Sequence, residues 1–68
     1  MTLGEKIKKL RNDMSLSQLE LAKELSIGHS TLACYETNKR QIPYSTLTAI
    51  AKFFDVSTDY LLGLKDEY

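Results

Sequence analysis

Few side chains here could carry covalent or acid–base chemistry. There is one histidine, His29, one cysteine, Cys34, and no tryptophan. A nucleophile and its base must lie within hydrogen-bond reach, with a third group to orient the base. His29 and Cys34 are five positions apart in a stretch of helical character. At 3.6 residues per turn that is about 500° of rotation, so they leave the helix on different faces. No glycine-rich phosphate loop is present, and nothing has the spacing of zinc ligands. Catalytic, metal and cofactor sites are therefore not expected. What remains is non-covalent: the outward positions His29, Ser30, Ala33, Cys34 and Thr37, followed by the basic pair Lys39-Arg40.

Helix start and stop signals define the elements that carry these positions. Thr2-Leu3-Gly4-Glu5 has the spacing of a capping box, in which Thr2 and Glu5 satisfy each other's amides. Leu3, Ile7, Leu10 and Met14 then recur every three or four residues as one apolar face, leaving Lys6, Lys8, Lys9 and Arg11 to point outward. Ser17-Gln18-Leu19-Glu20 is a second capping box, with Leu16 placed to staple onto Leu21. Leu21, Ala22 and Leu25 continue the buried face. After Ser26-Ile27 a third helix starts with Gly28 as N-cap, turns Leu32 and Tyr35 inward, and ends at Asn38 in the left-handed conformation.

Lys39 to Ile42 form a loop, and Pro43 suits the first turn of a fourth helix with Leu47, Ile50, Ala51 and Phe54 inward. Ser57 caps a fifth helix, Val56 staples onto Leu61, and Gly63 closes it. No segment alternates as a strand would. The expected fold is all-α, five short helices, with residues 1–68 as one domain.

Composition bounds the partners. Hydrophobic residues make up 43% of the chain and charged residues 26%, which favours a packed core over disorder. A chain of this size buries about 60% of its unfolded surface, enough for one core. No apolar run reaches the length of a membrane span and the N-terminus lacks a signal-peptide core. A lone cysteine fits a reducing compartment, so a cytoplasmic location without membrane association is expected. The formal net charge is zero, but residues 1–43 hold seven basic and five acidic residues, 7 − 5 = +2. Residues 44–68 hold two and four, 2 − 4 = −2. The positive half is the half that carries the outward row.

Two helices joined by a tight turn are the framework that places a second helix in the major groove of DNA. Any small helical bundle also contains such a pair, so spacing alone leaves a DNA-binding and a plain structural reading open. The residues go further. Ser17-Gln18-x-Glu20-Leu21-Ala22-x-x-Leu25 followed by Ser30-Thr31-Leu32-x-x-Tyr35-Glu36-x-x-Lys39-Arg40 resembles the phage-repressor/Cro-type (Xre-type) helix-turn-helix family. The stretch from Leu47 to Gly63, with Ile50-Ala51-Lys52-Phe53-Phe54 and Asp59-Tyr60-Leu61-Leu62, is similar to the family's last two helices. The similarity spans residues 3–63. It implies a five-helix, lambda-repressor-like domain with the helix-turn-helix at helices 2 and 3, which binds double-stranded DNA sequence-specifically, commonly as a homodimer on a palindromic operator.

Transferred by position, the resemblance implies base readout by His29, Ser30, Ala33 and Cys34. It implies backbone contacts from Gln18, Thr31, Thr37, Asn38, Lys39 and Arg40, with Gln18 also bracing the recognition helix. Arg11 and Glu36 match an internal salt bridge. Ala33 and Cys34 are too small for the bidentate hydrogen bonds that discriminate bases, which leaves His29 and Ser30 as the main direct readers. Tyr35 and Tyr44 are expected as partly buried packing residues. Phe53, Tyr60 and Leu64 are the expected dimer contact, as apolar side chains near the C-terminal end. The expected activity is transcriptional regulation, as a repressor. The competing reading is a protein-interaction module of the same fold that binds another regulator or a toxin-like partner.

Overall fold

A computed structural model describes residues 1–66. Five helices follow one another: α1 (Leu3–Asp13), α2 (Gln18–Leu25), α3 (His29–Glu36), α4 (Tyr44–Phe54) and α5 (Thr58–Leu61). Helix α3 packs between α1 and α2, while α4 rests on α2 and α5 joins α4 to α1. Ile7, Leu10, Leu21, Leu32, Ile50 and Leu61, one or two from each helix, meet in a single buried cluster. Leu3, Leu25, Leu47 and Phe54 line its edge.

The helix starts follow local chemistry. Both capping boxes form reciprocally: Thr2 Oγ1 accepts from the Glu5 amide while Glu5 accepts from the Thr2 amide, and Ser17 and Glu20 do the same. Those hydrogen bonds, the backbone one first and the hydroxyl second, hold both glutamates below the ordinary carboxyl range. Ser57 caps α5 through the Tyr60 amide. Pro43 stands one position earlier than expected, as N-cap of α4 rather than inside its first turn.

The helix ends share one device. Ser15, Ser26, Asn38, Asp55 and Gly63 all adopt positive φ after α1, α2, α3, α4 and α5 respectively. In each case the next residue's amide returns to a carbonyl five positions back: Leu16 to Arg11, Ile27 to Ala22, Lys39 to Cys34, Val56 to Ala51 and Leu64 to Asp59. This is the Schellman closure, which satisfies the last carbonyls and turns the chain sharply. It explains how connections of a few residues redirect the chain between packed helices. Four of the five positions carry a Cβ, which is disfavoured in the left-handed region.

Several expectations for side chains are corrected. Met14 is exposed, because α1 ends at Asp13 and the chain turns before a further inward position is available. Arg11, outward by periodicity, is buried in the salt bridge with Glu36 that the family resemblance implies. Lys6 reaches back to the end of α5, where its Nζ donates to the Tyr60 carbonyl at 2.9 Å and lies 5.2 Å from the Tyr60 ring centre. Tyr44, in the first turn of α4, is 79% exposed and does not pack.

The start of α1 lies hard against the end of α3. A Cβ on Gly4 would fall 2.6 Å from the Glu36 carbonyl oxygen and 2.8 Å from Asn38 Oδ1. The Gly4 amide donates to that Oδ1, and Asn38 Nδ2 donates to Thr2 Oγ1. Gly4→Ala should therefore destabilise the fold by about 1–3 kcal/mol through overpacking against backbone that cannot retreat. Ser26→Gly should stabilise it by up to about 1 kcal/mol by relieving the left-handed Cβ. Urea denaturation of the two variants beside the parent checks both signs.

Candidate nucleic-acid interface

The recognition-helix candidate α3 is held from beneath by one buried ion pair. Arg11 on α1 and Glu36 on the last turn of α3 are only 8% and 4% exposed. Arg11 Nε donates to Glu36 Oε2 at 2.6 Å and Nη2 donates to Oε1 at 3.1 Å, a two-pronged arrangement. Arg11 Nη1 donates to the Leu16 carbonyl at 2.8 Å, in the turn before α2. Gln18, first residue of α2, donates from Nε2 to Glu36 Oε1 at 3.0 Å. Two charges taken out of water are tolerable only with such complete satisfaction, and no buried side-chain nitrogen or oxygen among the described residues lacks a partner. The pair fixes three things at once: the rotation of α3, the turn entering α2, and the amide of Gln18.

The outward face of α3 presents His29 and Ser30 as exposed residues, with Thr31, Ala33 and Cys34 half-buried. Gly28 supplies no side-chain cap, so the first-turn amides of α3 have no side-chain acceptor. A helix start of that kind suits a phosphate oxygen. Thr37, Asn38, Lys39 and Arg40 follow the helix and are exposed. Their polar groups are unequal. The only hydroxyl hydrogen of Thr37 goes to the Ala33 carbonyl at 2.9 Å, so it must rotate before it can donate to a phosphate. The Asn38 side chain ties α3 to α1 through both its oxygen and its nitrogen, leaving one Nδ2 hydrogen for any other acceptor. Lys39 and Arg40 make no ion pair among the described residues and follow α3 closely in the chain as exposed cations.

His29 has a neighbour that its position in the sequence did not reveal. Its Nε2 lies 3.0 Å from Gln18 Oε1, across the turn that joins α2 to α3. The bracing expected of Gln18 is thus present as a bridge, with Glu36 on one side and His29 on the other. Only the geometry of the turn brings residues eleven positions apart together.

The expected dimer residues do not form one exposed patch. Tyr60 is 9% exposed and belongs to the core. Phe53 is half-buried against that core, with its ring edge-on to Phe54 at 5.0 Å between centres. Leu64 is presented, at 74% exposure, with Leu62, two positions earlier, also exposed. Tyr60, next to Leu61 on α5, faces the core, and Phe53 on α4 packs against the same core beside Phe54.

Comparison with known proteins fits this geometry. A family model described as Helix-turn-helix matches residues 7–61. The chain belongs to the phage-repressor/Cro-type helix-turn-helix family. The HTH-type transcriptional regulator ImmR of Bacillus subtilis is 42% identical over 67 residues, covering 98% of this chain and 52% of that protein. The chain therefore spans about half the length of that relative. Among solved structures, the P22 c2 repressor with a synthetic operator is similar at a TM-score of 0.85, with 26% identity and coverage of 91% of this chain and 94% of that one. SinR of Bacillus subtilis in complex with DNA is similar at a TM-score of 0.79, with 30% identity and coverage of 88% and 97%. The five-helix fold is that of repressor DNA-binding domains. Among the described residues no helix is long and apolar enough to cross a membrane, and no three His, Cys, Asp or Glu residues are grouped to hold a metal ion.

The ion pair can be tested apart from any ligand. Arg11→Met alone should cost about 3–5 kcal/mol, because it strands the Glu36 carboxylate in a site built for its partner. Combining it with Glu36→Leu should recover part of that loss. A double-mutant cycle in urea measures the coupling, and two additive losses would mean that the charges do not depend on each other.

Proposed function

We propose that this chain is the sequence-specific DNA-binding part of a transcriptional regulator, a repressor that acts on a palindromic operator as a homodimer. The observation that carries the reading is the placement of α3. Its exposed, uncapped first turn, from His29, and its trailing Lys39-Arg40 lie on one rigid element locked by the Arg11–Glu36 pair. Similarity to a repressor–operator complex and to SinR with DNA supports the same use of this framework.

In this reading, Lys39 and Arg40 supply charge to phosphates, and the second Nε2 hydrogen of Gln18 reaches another phosphate. Thr31, Thr37 and the remaining Asn38 hydrogen add shorter contacts that fix register. His29 and Ser30 meet base edges, while Ala33 and Cys34 let the helix approach closely, Ala33 being suited to a thymine methyl. In a dimer the two copies of α3 must lie about 34 Å apart to enter successive major grooves. Leu62 and Leu64 are exposed apolar side chains near the C-terminal end that could take part in that contact.

The zero net charge and the two small positions on α3 favour a second reading, a module that binds a protein partner. Anisotropy titration separates them, using DNA from upstream of the protein's own gene beside a scrambled duplex over a range of salt. The DNA reading predicts preference for the upstream duplex and affinity that falls steeply with salt. Replacing Lys39 or Arg40 by Gln should weaken binding to both duplexes alike and flatten the logarithmic salt slope by roughly 0.9 each. His29→Ala or Ser30→Ala should change sequence preference while leaving the slope nearly intact. Reversed effects would overturn the assigned roles, and absence of binding at low salt would favour the protein-partner reading.

A further inference from the structure

The hydrogen bonds that run from the buried ion pair to His29 have a fixed direction, and that direction decides what the recognition helix offers a base. The Glu36 carboxylate, paired with Arg11, only accepts. The Gln18 atom facing it must therefore be the amide nitrogen, as observed at 3.0 Å. That turns the Gln18 carbonyl oxygen toward His29, and a carbonyl oxygen also only accepts. His29 Nε2, 3.0 Å away, must then carry a hydrogen. In a neutral imidazole one nitrogen is a donor and the other an acceptor. The polarity set by Glu36 thus passes through Gln18 and leaves His29 Nδ1 with a bare lone pair. Nδ1 makes no hydrogen bond among the described residues, and His29 is exposed in the first turn of α3.

We infer that His29 is held as the Nε2–H tautomer by Gln18 and Glu36, and that it reads DNA as a hydrogen-bond acceptor directed at the exocyclic amine of adenine or cytosine. This rests on the DNA-binding reading above and goes beyond it by naming the chemical class of base group selected. In the major groove the amines are the donors on offer, while guanine presents N7 and O6 as acceptors and thymine presents O4. A lone pair at Nδ1 is attracted to the first class and repelled by the second. Gln18 and Glu36 are positioning residues for specificity. The relay also leaves Gln18 free for a phosphate, because its amide nitrogen has two hydrogens and only one points at Glu36.

The test has two parts, one of which needs no DNA. His29 is the single histidine in the chain, so nitrogen-15 spectra of the imidazole report it without overlap. In the neutral ring, Nε2 should resonate as protonated and Nδ1 as bare. Gln18→Ala removes the acceptor while both Arg11 donors to Glu36 are retained, and the fraction protonated at Nδ1 should rise several-fold. A proton on Nδ1 in the parent, or an unchanged tautomer ratio in Gln18→Ala, would overturn the relay.

The second part uses a duplex that the parent binds selectively and the base whose identity ceases to matter in His29→Ala. An analogue lacking the exocyclic amine there should weaken the parent several-fold and leave His29→Ala unaffected. At a purine, carbon in place of N7 should change nothing. Sensitivity to the N7 replacement with indifference to the amine would overturn the inference while DNA binding itself stood. Failure to recover any selectively bound duplex would overturn the DNA reading and the base assignment together, with the tautomer spectra still deciding the relay.

Discussion

The fold is organised around a salt bridge that is almost wholly buried. Arg11 and Glu36 come from α1 and α3, and a third element, the start of α2, adds Gln18 and the Leu16 carbonyl. Apolar contacts among Ile7, Leu21, Leu32 and Ile50 supply the drive to pack but little direction, since hydrophobic burial does not depend on angle. A two-pronged guanidinium–carboxylate contact does depend on angle. Rotating α3 by a fraction of a turn would leave Glu36 facing apolar side chains, at a cost that a chain of this size has little stability to absorb. The pair thereby converts a loosely specified bundle into one in which the outward face of α3 is set.

The second constraint is brevity. The five helices are joined by connections that reverse direction within a few residues, and each uses a left-handed residue to do so. The Cβ penalty accepted at Ser26 is the cost of a turn tight enough for Gln18 and His29 to meet across it, and Ser15, Asn38 and Asp55 accept the same penalty in the other connections. Asn38 serves twice: its backbone ends α3, and its side chain fastens the start of α1 at Gly4 and Thr2. Recognition helix and scaffold are joined at both ends of α3, by Gln18 near its start and by Asn38 after its end.

Much of this was legible in the sequence, where the signals were local. Thr2-x-x-Glu5 and Ser17-x-x-Glu20 mark helix starts because a capping box needs only residues three apart. The i, i+3, i+4 spacing marks Ile7, Leu10, Leu47 and Ile50 as inward. Ser15, Ser26 and Asp55 carried no comparable signal as helix ends, because serine and aspartate serve as readily at starts and turns. Met14 and Tyr44 were misplaced since periodicity does not say where a helix stops relative to the core edge. Lys6 read as part of a solvated basic face because its partner, the Tyr60 carbonyl, is distant in sequence; periodicity alone put Arg11 there too, and only the family pattern paired it with Glu36. At the site, the proposed members of the interface were named by family pattern alone. The Gln18–His29 contact and the commitments of Thr37 and Asn38 arise only from three-dimensional placement.

The central claim is that a preformed α3, locked by the buried pair, is the surface that meets DNA. The most direct measurement is a nitrogen-15 NMR titration with operator-length duplex that follows backbone amides together with the Arg11 Nε–H and the Gln18 side-chain amide. The account predicts that perturbations gather on Gln18, residues 28–34 and residues 37–40, while the Arg11 Nε–H signal is present in the free protein and persists unchanged in the complex. Perturbations that leave Gln18 and residues 28–34 unmoved, or an Arg11 signal that appears only when DNA is added, would contradict it.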